Sequence, residues 1–196
     1  MGCRRRVSGG GASGEADPMN PGVSPEPKPS QSNMPVRALV INGLAIALVF
    51  VAATFVHIRV PVAGTGGMIH LGDLPIFVFA LLYGRKTGAL AGAVGLTLFD
   101  LLSGWTLWAP FTFVISGAMG WMVGAAAEKN PDGRPAPYRL SVLAAALITA
   151  GGYYITECLL YGNWLSPLAS VPVNLLQVVL PAIPALPVAS RLKKFA

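Results

Sequence analysis

The positively charged residues of this chain are gathered into a few short stretches, with long apolar runs between them. Of fourteen Lys and Arg residues, five lie in residues 4–37, two at Arg85-Lys86, three in 129–139 and three in 191–194; only Arg59 stands apart. An apolar run of about 20 residues can cross the hydrocarbon core of a bilayer, and Lys and Arg in short loops collect on the cytoplasmic side. The layout predicts an all-α integral membrane protein, a compact bundle of six transmembrane helices with cytoplasmic N- and C-termini. Composition agrees: 54% of residues are hydrophobic and 11% charged, against roughly 25% charged in a soluble domain. The net charge of +6 is therefore a topology signal and not a nucleic-acid-binding surface.

Residues 1–35 are rich in Gly, Ser and Pro, contain the Arg4-Arg5-Arg6 run and have no apolar stretch. They read as a disordered cytoplasmic tail without a secretory signal peptide, and Met19 or Met34 is an alternative start. The six-helix domain is expected over 36–194, with segments at 36–57, 74–83, 87–102, 109–127, 140–160 and 168–190. The second segment is short. Ten helical residues rise about 15 Å, half of a core about 30 Å thick. The preceding outer loop, 58–71, should therefore dip into the membrane, where irregular backbone is tolerated only if protein covers it or it lines a cavity. His70 and Asp73 would sit at that cavity. Gly84, Gly88, Gly92 and Gly95 form a small-residue face for close helix packing, and Gly43 and Ala47 allow the same on the first helix, toward this protein or an external partner. Pro181, Pro184 and Pro187 predict a kinked or broken inner half of the last segment. The turn Gly84-Arg85-Lys86-Thr87-Gly88 lacks the order and upstream glycine of a nucleotide loop. Cys3 and Cys158 have neither disulfide nor metal spacing.

Sorted by depth, the polar and aromatic residues crowd one side. The outer half and outer loops hold His57, His70, Asp73, Asp100, Trp105, Trp108, Thr112, Ser116, Tyr153, Tyr154, Glu157, Asn163, Trp164, Asn174 and Gln177; the inner half holds little beyond Asn42. A channel or proton relay needs polar groups along its whole depth. This pattern describes a cup open on the outer side and closed below, suited to a small, flat, polar ring compound. The candidate substrate-binding residues are Glu157, Asp73, Asp100, His70, Trp105, Trp108, Thr112, Tyr153, Asn163, Trp164, Asn174 and Gln177. Glu157 leads, because its segment offers no basic partner. Plainer roles compete: the Trp residues as an interfacial belt, His57 as a helix end, Asp73 as an N-cap, Asp100 paired with His70 or Arg59, and Asn174 and Gln177 bonding between helices.

The run from Gly66 to Trp121 resembles the substrate-binding S component of energy-coupling factor (ECF) vitamin transporters, nearest the riboflavin-type group that includes hydroxymethylpyrimidine and pyridoxine carriers. The pieces that carry the likeness are His70-Leu71-Gly72-Asp73, the Gly84-to-Gly92 turn with its basic pair, Asp100 followed by Ser103-Gly104, and Trp108-Ala109-Pro110. The resemblance implies a multi-pass subunit of the cytoplasmic membrane that captures a vitamin or vitamin precursor at the outer face. It would then deliver the ligand inward with a transmembrane coupling subunit and two ATPases. Gly43 and Ala47 stand where the family has an Ala-x-x-x-Ala motif that meets the coupling subunit, with Gly in the first place. The resemblance leaves the ligand open among riboflavin, pyridoxine, a pyrimidine or a deazapurine. No cofactor is expected, and ATP hydrolysis would belong to the partners.

Two other classes compete with that reading. A six-helix structural or scaffold membrane protein would carry the outer cup incidentally. An intramembrane enzyme would need a nucleophile with its base, or paired metal ligands such as His-Glu-x-x-His, and no helical spacing here puts two such ligands on one face.

Overall fold

The computed structural model describes residues 36–60, 67–130, 132 and 134–193. The expected tail over 1–35 lies outside the described residues. Six α-helices and one hairpin follow in order: α1 (Val36–Phe55), β1 (His57–Val60), β2 (Gly67–His70), α2 (Asp73–Tyr83), α3 (Arg85–Leu102), α4 (Ala109–Glu128), α5 (Pro135–Tyr161) and α6 (Val171–Leu192), with a short 3-10 turn at Ser166–Ala169. Four segments are long and apolar enough to cross a bilayer: Val36–Phe55, Ala109–Glu128, Pro135–Tyr161 and Ser166–Leu192. The chain is a multi-pass helical membrane protein.

Small residues set how closely the helices approach. A side-chain carbon added at Gly88 on α3 would come within 2.6 Å of both the Gly120 carbonyl oxygen on α4 and the Ala80 Cβ on α2. One added at Gly95 would meet Val49 of α1 at 2.7 Å. Each glycine in a helix interior costs about 1 kcal/mol relative to Ala. In lipid that cost is offset by backbone-to-backbone van der Waals contact, because apolar surface gains nothing from leaving a hydrocarbon solvent. Between these contacts the core is filled by Phe77, Phe99, Ile76, Met119, Val49, Val123 and Val178, all buried.

Helix α1 presents Ala45, Val49 and Ala53 to the bundle, one residue per turn and all fully buried. Gly43 and Ala47 point the other way and are exposed. A Cβ at Gly43 would meet nothing within 4 Å. Among the described residues, the small pair therefore takes no part in helix packing.

Two expectations are corrected. The segment 58–71 contains an antiparallel hairpin, pairing His57 with His70, Ile58 with Ile69, Arg59 with Met68 and Val60 with Gly67. Backbone beside a membrane must pair its N–H and C=O groups within the protein, and a two-stranded ladder does so. The alternation His57-Ile58-Arg59-Val60 carried that signal. The hairpin leads into α2, whose eleven residues rise only about 16 Å. The second correction is narrower: of the two outcomes expected for the inner half of α6, a break does not occur, since the helix runs from Val171 to Leu192 through all three prolines. Neighbouring helices can satisfy carbonyls that proline leaves without N–H partners, and the Tyr138 hydroxyl on α5 donates to the Ala182 carbonyl within this stretch.

At the end of the bundle where α3 begins, Gly84 turns the chain between α2 and α3 with φ 86°. Glu128 at the foot of α4 accepts from the Arg85 backbone N–H at 2.9 Å, and its other oxygen lies 3.2 Å from Arg85 Nε. The guanidinium carbon sits 4.9 Å from the Trp121 ring centroid. The basic turn is thereby clamped to α4.

Candidate functional site

The opposite end of the bundle holds a cavity of about 80 Å³ to which β2 and every α-helix except α1 contribute. The hairpin and the start of α2 contribute Gly67, Met68, His70 and Asp73; the end of α3 contributes Leu96 and Asp100. Trp105, Trp108, Thr112, Ser116 and Met119 come from the α3–α4 turn and α4, Thr149, Tyr153 and Glu157 from α5, and Asn174 and Gln177 from α6. Helical periodicity explains the membership. Thr149, Tyr153 and Glu157 recur every fourth residue and share one face of α5, as do Thr112, Ser116 and Met119 on α4.

Ten of the twelve candidate residues are brought together here. Asn163 and Trp164 are not. Asn163 Oδ1 accepts from the backbone N–H of Leu165 at 2.8 Å and so shapes the α5–α6 loop. Trp164 is 66% exposed, and its carbonyl accepts from the Tyr154 hydroxyl. His57, at the end of α1, has Nδ1 against the Thr54 carbonyl at 2.9 Å, the helix-end role weighed for it. The lining residues absent from the sequence reading are Thr149, Met119, Leu96, Met68 and Gly67. The i, i+4 stripe through Tyr153 and Glu157 pointed to Thr149; Met and Leu carry no polar signal.

The polar groups divide into engaged and open. Gln177 ties three elements together: its Oε1 accepts from the His70 backbone N–H at 2.9 Å, and its Nε2 donates to Asp73 Oδ2 at 3.1 Å. The same amide nitrogen lies 2.9 Å from His70 Nδ1. Gln177 thus locks the hairpin and α2 to α6. Asp73 does not cap α2, since Gly72 takes the N-cap position and no side chain bonds there. Ser170 donates its hydroxyl to Glu157 Oε2. Thr112 Oγ1 and the Tyr153 hydroxyl are 3.1 Å apart. Asp100 forms no ion pair with Arg59 or His70; its Oδ2 and the Nδ2 of Asn174 are buried without a hydrogen-bond partner.

One wall is aromatic. The Trp108 ring lies 6.3 Å from that of Trp105 and 6.3 Å from that of Tyr153, each pair inclined. His70, on β2 outside the spanning helices, lies edge-on to Phe99 at 5.7 Å. Burial lowers its pKa from 6.5 to about 4, and the nearby His57 adds to the lowering against an opposing backbone hydrogen bond. The imidazole is therefore neutral at physiological pH and serves as a hydrogen-bonding, not a charged, wall group. Among the described residues, no group of three His, Cys, Asp or Glu side chains is placed to hold a metal.

A cavity walled by tryptophan and tyrosine and lined by amides and carboxyls has the make-up common to small-molecule sites. The model of the family described as "ECF-type riboflavin transporter, S component" matches residues 33–194. The chain belongs to this family. It is 31% identical over 143 residues to the thiamine precursor transporter HmpT of Lactococcus lactis subsp. cremoris, covering 71% of this chain and 80% of that protein. An uncharacterized protein of Pyrococcus woesei is 33% identical over 57% of this chain and 74% of its own length. A UPF0397 protein of Streptococcus agalactiae is 30% identical over 48% of this chain and 50% of its own. As an S component the chain is a substrate-binding subunit for transport of a vitamin or vitamin precursor, and the scaffold alternative falls away.

Proposed function

We propose that this S component captures a vitamin precursor in the cavity at the outer face of the cytoplasmic membrane and releases it inward with an ECF coupling subunit and two ATPases. The observation that carries the reading is the one-ended placement of polar and aromatic groups. The cavity lies at the end of the bundle opposite Arg85, Lys129 and Arg191, the cations that mark the cytoplasmic side. The chain itself performs no catalysis, and its residues 1–35 form the cytoplasmic tail. The similarity to a thiamine precursor transporter favours a pyrimidine-type ligand over a flavin.

The exposed Gly43 and Ala47 on α1 are the contact for the coupling subunit. Small residues let a partner helix reach the backbone, and none of the described residues packs against Gly43. Transport of a labelled pyrimidine precursor into cells that lack their own uptake tests the reading. Uptake is expected only when the chain and a coupling module are expressed together. Gly43→Leu and Ala47→Leu should reduce uptake by about tenfold or more, as loss of close helix contact does, while purified chains keep wild-type ligand affinity. Uptake by the chain alone, or full uptake by both variants, would contradict the assignment.

A further inference from the structure

A second cavity, of about 240 Å³, opens at the other end of the bundle, between the ends of α2, α4, α5 and α6. Its floor is apolar, built from Leu81, Val123 and Leu186, with Val123 fully buried. Tyr138 lines one wall, and its hydroxyl is already engaged with the Ala182 carbonyl. The rim is charged: Arg134 and Lys193 stand on it, with Asp132 beside them. Asn130 fixes the backbone that carries Arg134. Its Nδ2 donates to the Arg134 carbonyl at 2.8 Å, and its Oδ1 accepts from the Arg134 backbone N–H at 3.2 Å. The guanidinium reaches Asp132 only at 3.8 Å, with the two side chains 77% and 70% exposed. An ion pair that exposed contributes little and exchanges readily. Among the described residues, Lys193 has no ion pair. Capture of a molecule at the opposite end makes no use of this cavity.

We propose that this cavity seats the phosphate headgroup of a glycerophospholipid from the cytoplasmic leaflet. The choice of leaflet rests on the orientation proposed above; the site itself is independent of what the outer cavity binds. Phosphate is the anion that the rim fits. The planar guanidinium of Arg134 offers paired N–H donors to its oxygens, and the Lys193 ammonium adds a compact charge. With Asp132 set against these two cations, the rim keeps a net positive charge, and phosphate takes over the loose contact that Asp132 makes with Arg134. The floor decides the source of the phosphate. A free ion would meet the cations and leave Leu81, Val123 and Leu186 against water. A phospholipid brings the charge to the rim and lays its glycerol and first acyl carbons on that apolar floor. A headgroup held there joins the α4–α5 loop to the end of α6 at the membrane surface.

Native mass spectrometry of the detergent-purified full chain, titrated with phosphatidylglycerol and separately with inorganic phosphate, tests this. Wild type should take up a first lipid more tightly than any that follow. Arg134→Gln and Lys193→Gln should each weaken that first adduct about fivefold, and together about 20- to 30-fold, the effect of one and two cations beside an anionic headgroup. Ala126→Phe fills the cavity without changing its charge and should also abolish the preferred adduct; the two Gln variants carry the test alone if it does not fold. Lys86→Gln removes an exposed cation at the same end, outside the cavity, and should leave the adduct unchanged. An equal loss with Lys86→Gln overturns the site in favour of diffuse surface charge. Undiminished lipid binding by folded Ala126→Phe overturns the cavity as the seat. Displacement of the lipid by inorganic phosphate assigns the rim to a free ion and overturns the lipid. A wild-type chain with no preferred first adduct overturns the proposal outright. Each of these outcomes leaves capture at the outer cavity untouched, just as failure of the uptake assay leaves this titration intact.

Discussion

At the scale of single residues, the site is decided by which polar atoms the protein uses for itself. Asn174 and Gln177 lie one turn apart on α6 and are indistinguishable in sequence. The structure separates them, with Gln177 bound to His70 and Asp73 and Asn174 Nδ2 left open. Sequence spacing places a side chain on a face but does not say whether a neighbour reaches it first. Asp100 and Glu157 were legible for a simpler reason: a carboxyl in an apolar segment is costly and calls for a partner or a function. His70 carries a pH signature. Its folded pKa near 4 lies below the unfolded value of 6.5, so the unfolded chain takes up the proton first as pH falls. Its contribution to stability is complete above about 6.5 and declines as pH falls toward about 4. Thermal unfolding followed across that window should show a steeper decline for wild type than for His70→Gln. Equal slopes would mean that His70 is not held neutral by burial.

At the scale of elements, glycine positions and backbone pairing separate what was readable from what was not. The α3 glycines announced close packing, and the structure adds their partners: Gly88 against Gly120 and Ala80, Gly95 against Val49. Gly88→Val should destabilise the chain by about 3 kcal/mol, the upper end for overpacking, because the obstruction is a backbone carbonyl that cannot rotate away. The melting temperature should fall by several degrees. Gly43→Val serves as the matched control; with nothing within 4 Å of the added carbon, it should melt with wild type. If both variants melted alike, the α3–α4 contact at Gly88 and Gly120 would not be a tight one. The hairpin was missed because its strands, His57–Val60 and Gly67–His70, are four residues each, too short for periodicity to outweigh the glycines between them. In the proline-rich half of α6 the helix is not broken, one of the two outcomes that its prolines allowed. Proline propensity is measured for isolated helices in water, whereas here α5 lies alongside and Tyr138 bonds into the stretch.

At the scale of the whole molecule, charge placement carries the expected topology. Thirteen of fourteen cations fall in stretches expected on one side, and the cavity occupies the other end of the helices. The family follows from the match over residues 33–194; the choice of ligand does not follow from the scaffold, because it is written in side-chain orientations that one sequence does not fix. The central claim is that this chain is a receptor for a vitamin-sized molecule. Native mass spectrometry of detergent-purified protein expressed in rich medium tests it most directly. A discrete adduct with the mass of one small ring compound, lost when the wall is opened by Trp108→Ala, is the expected spectrum. A mass that matches the bare chain under gentle release, and stays unchanged after incubation with vitamins and their pyrimidine precursors, would contradict it.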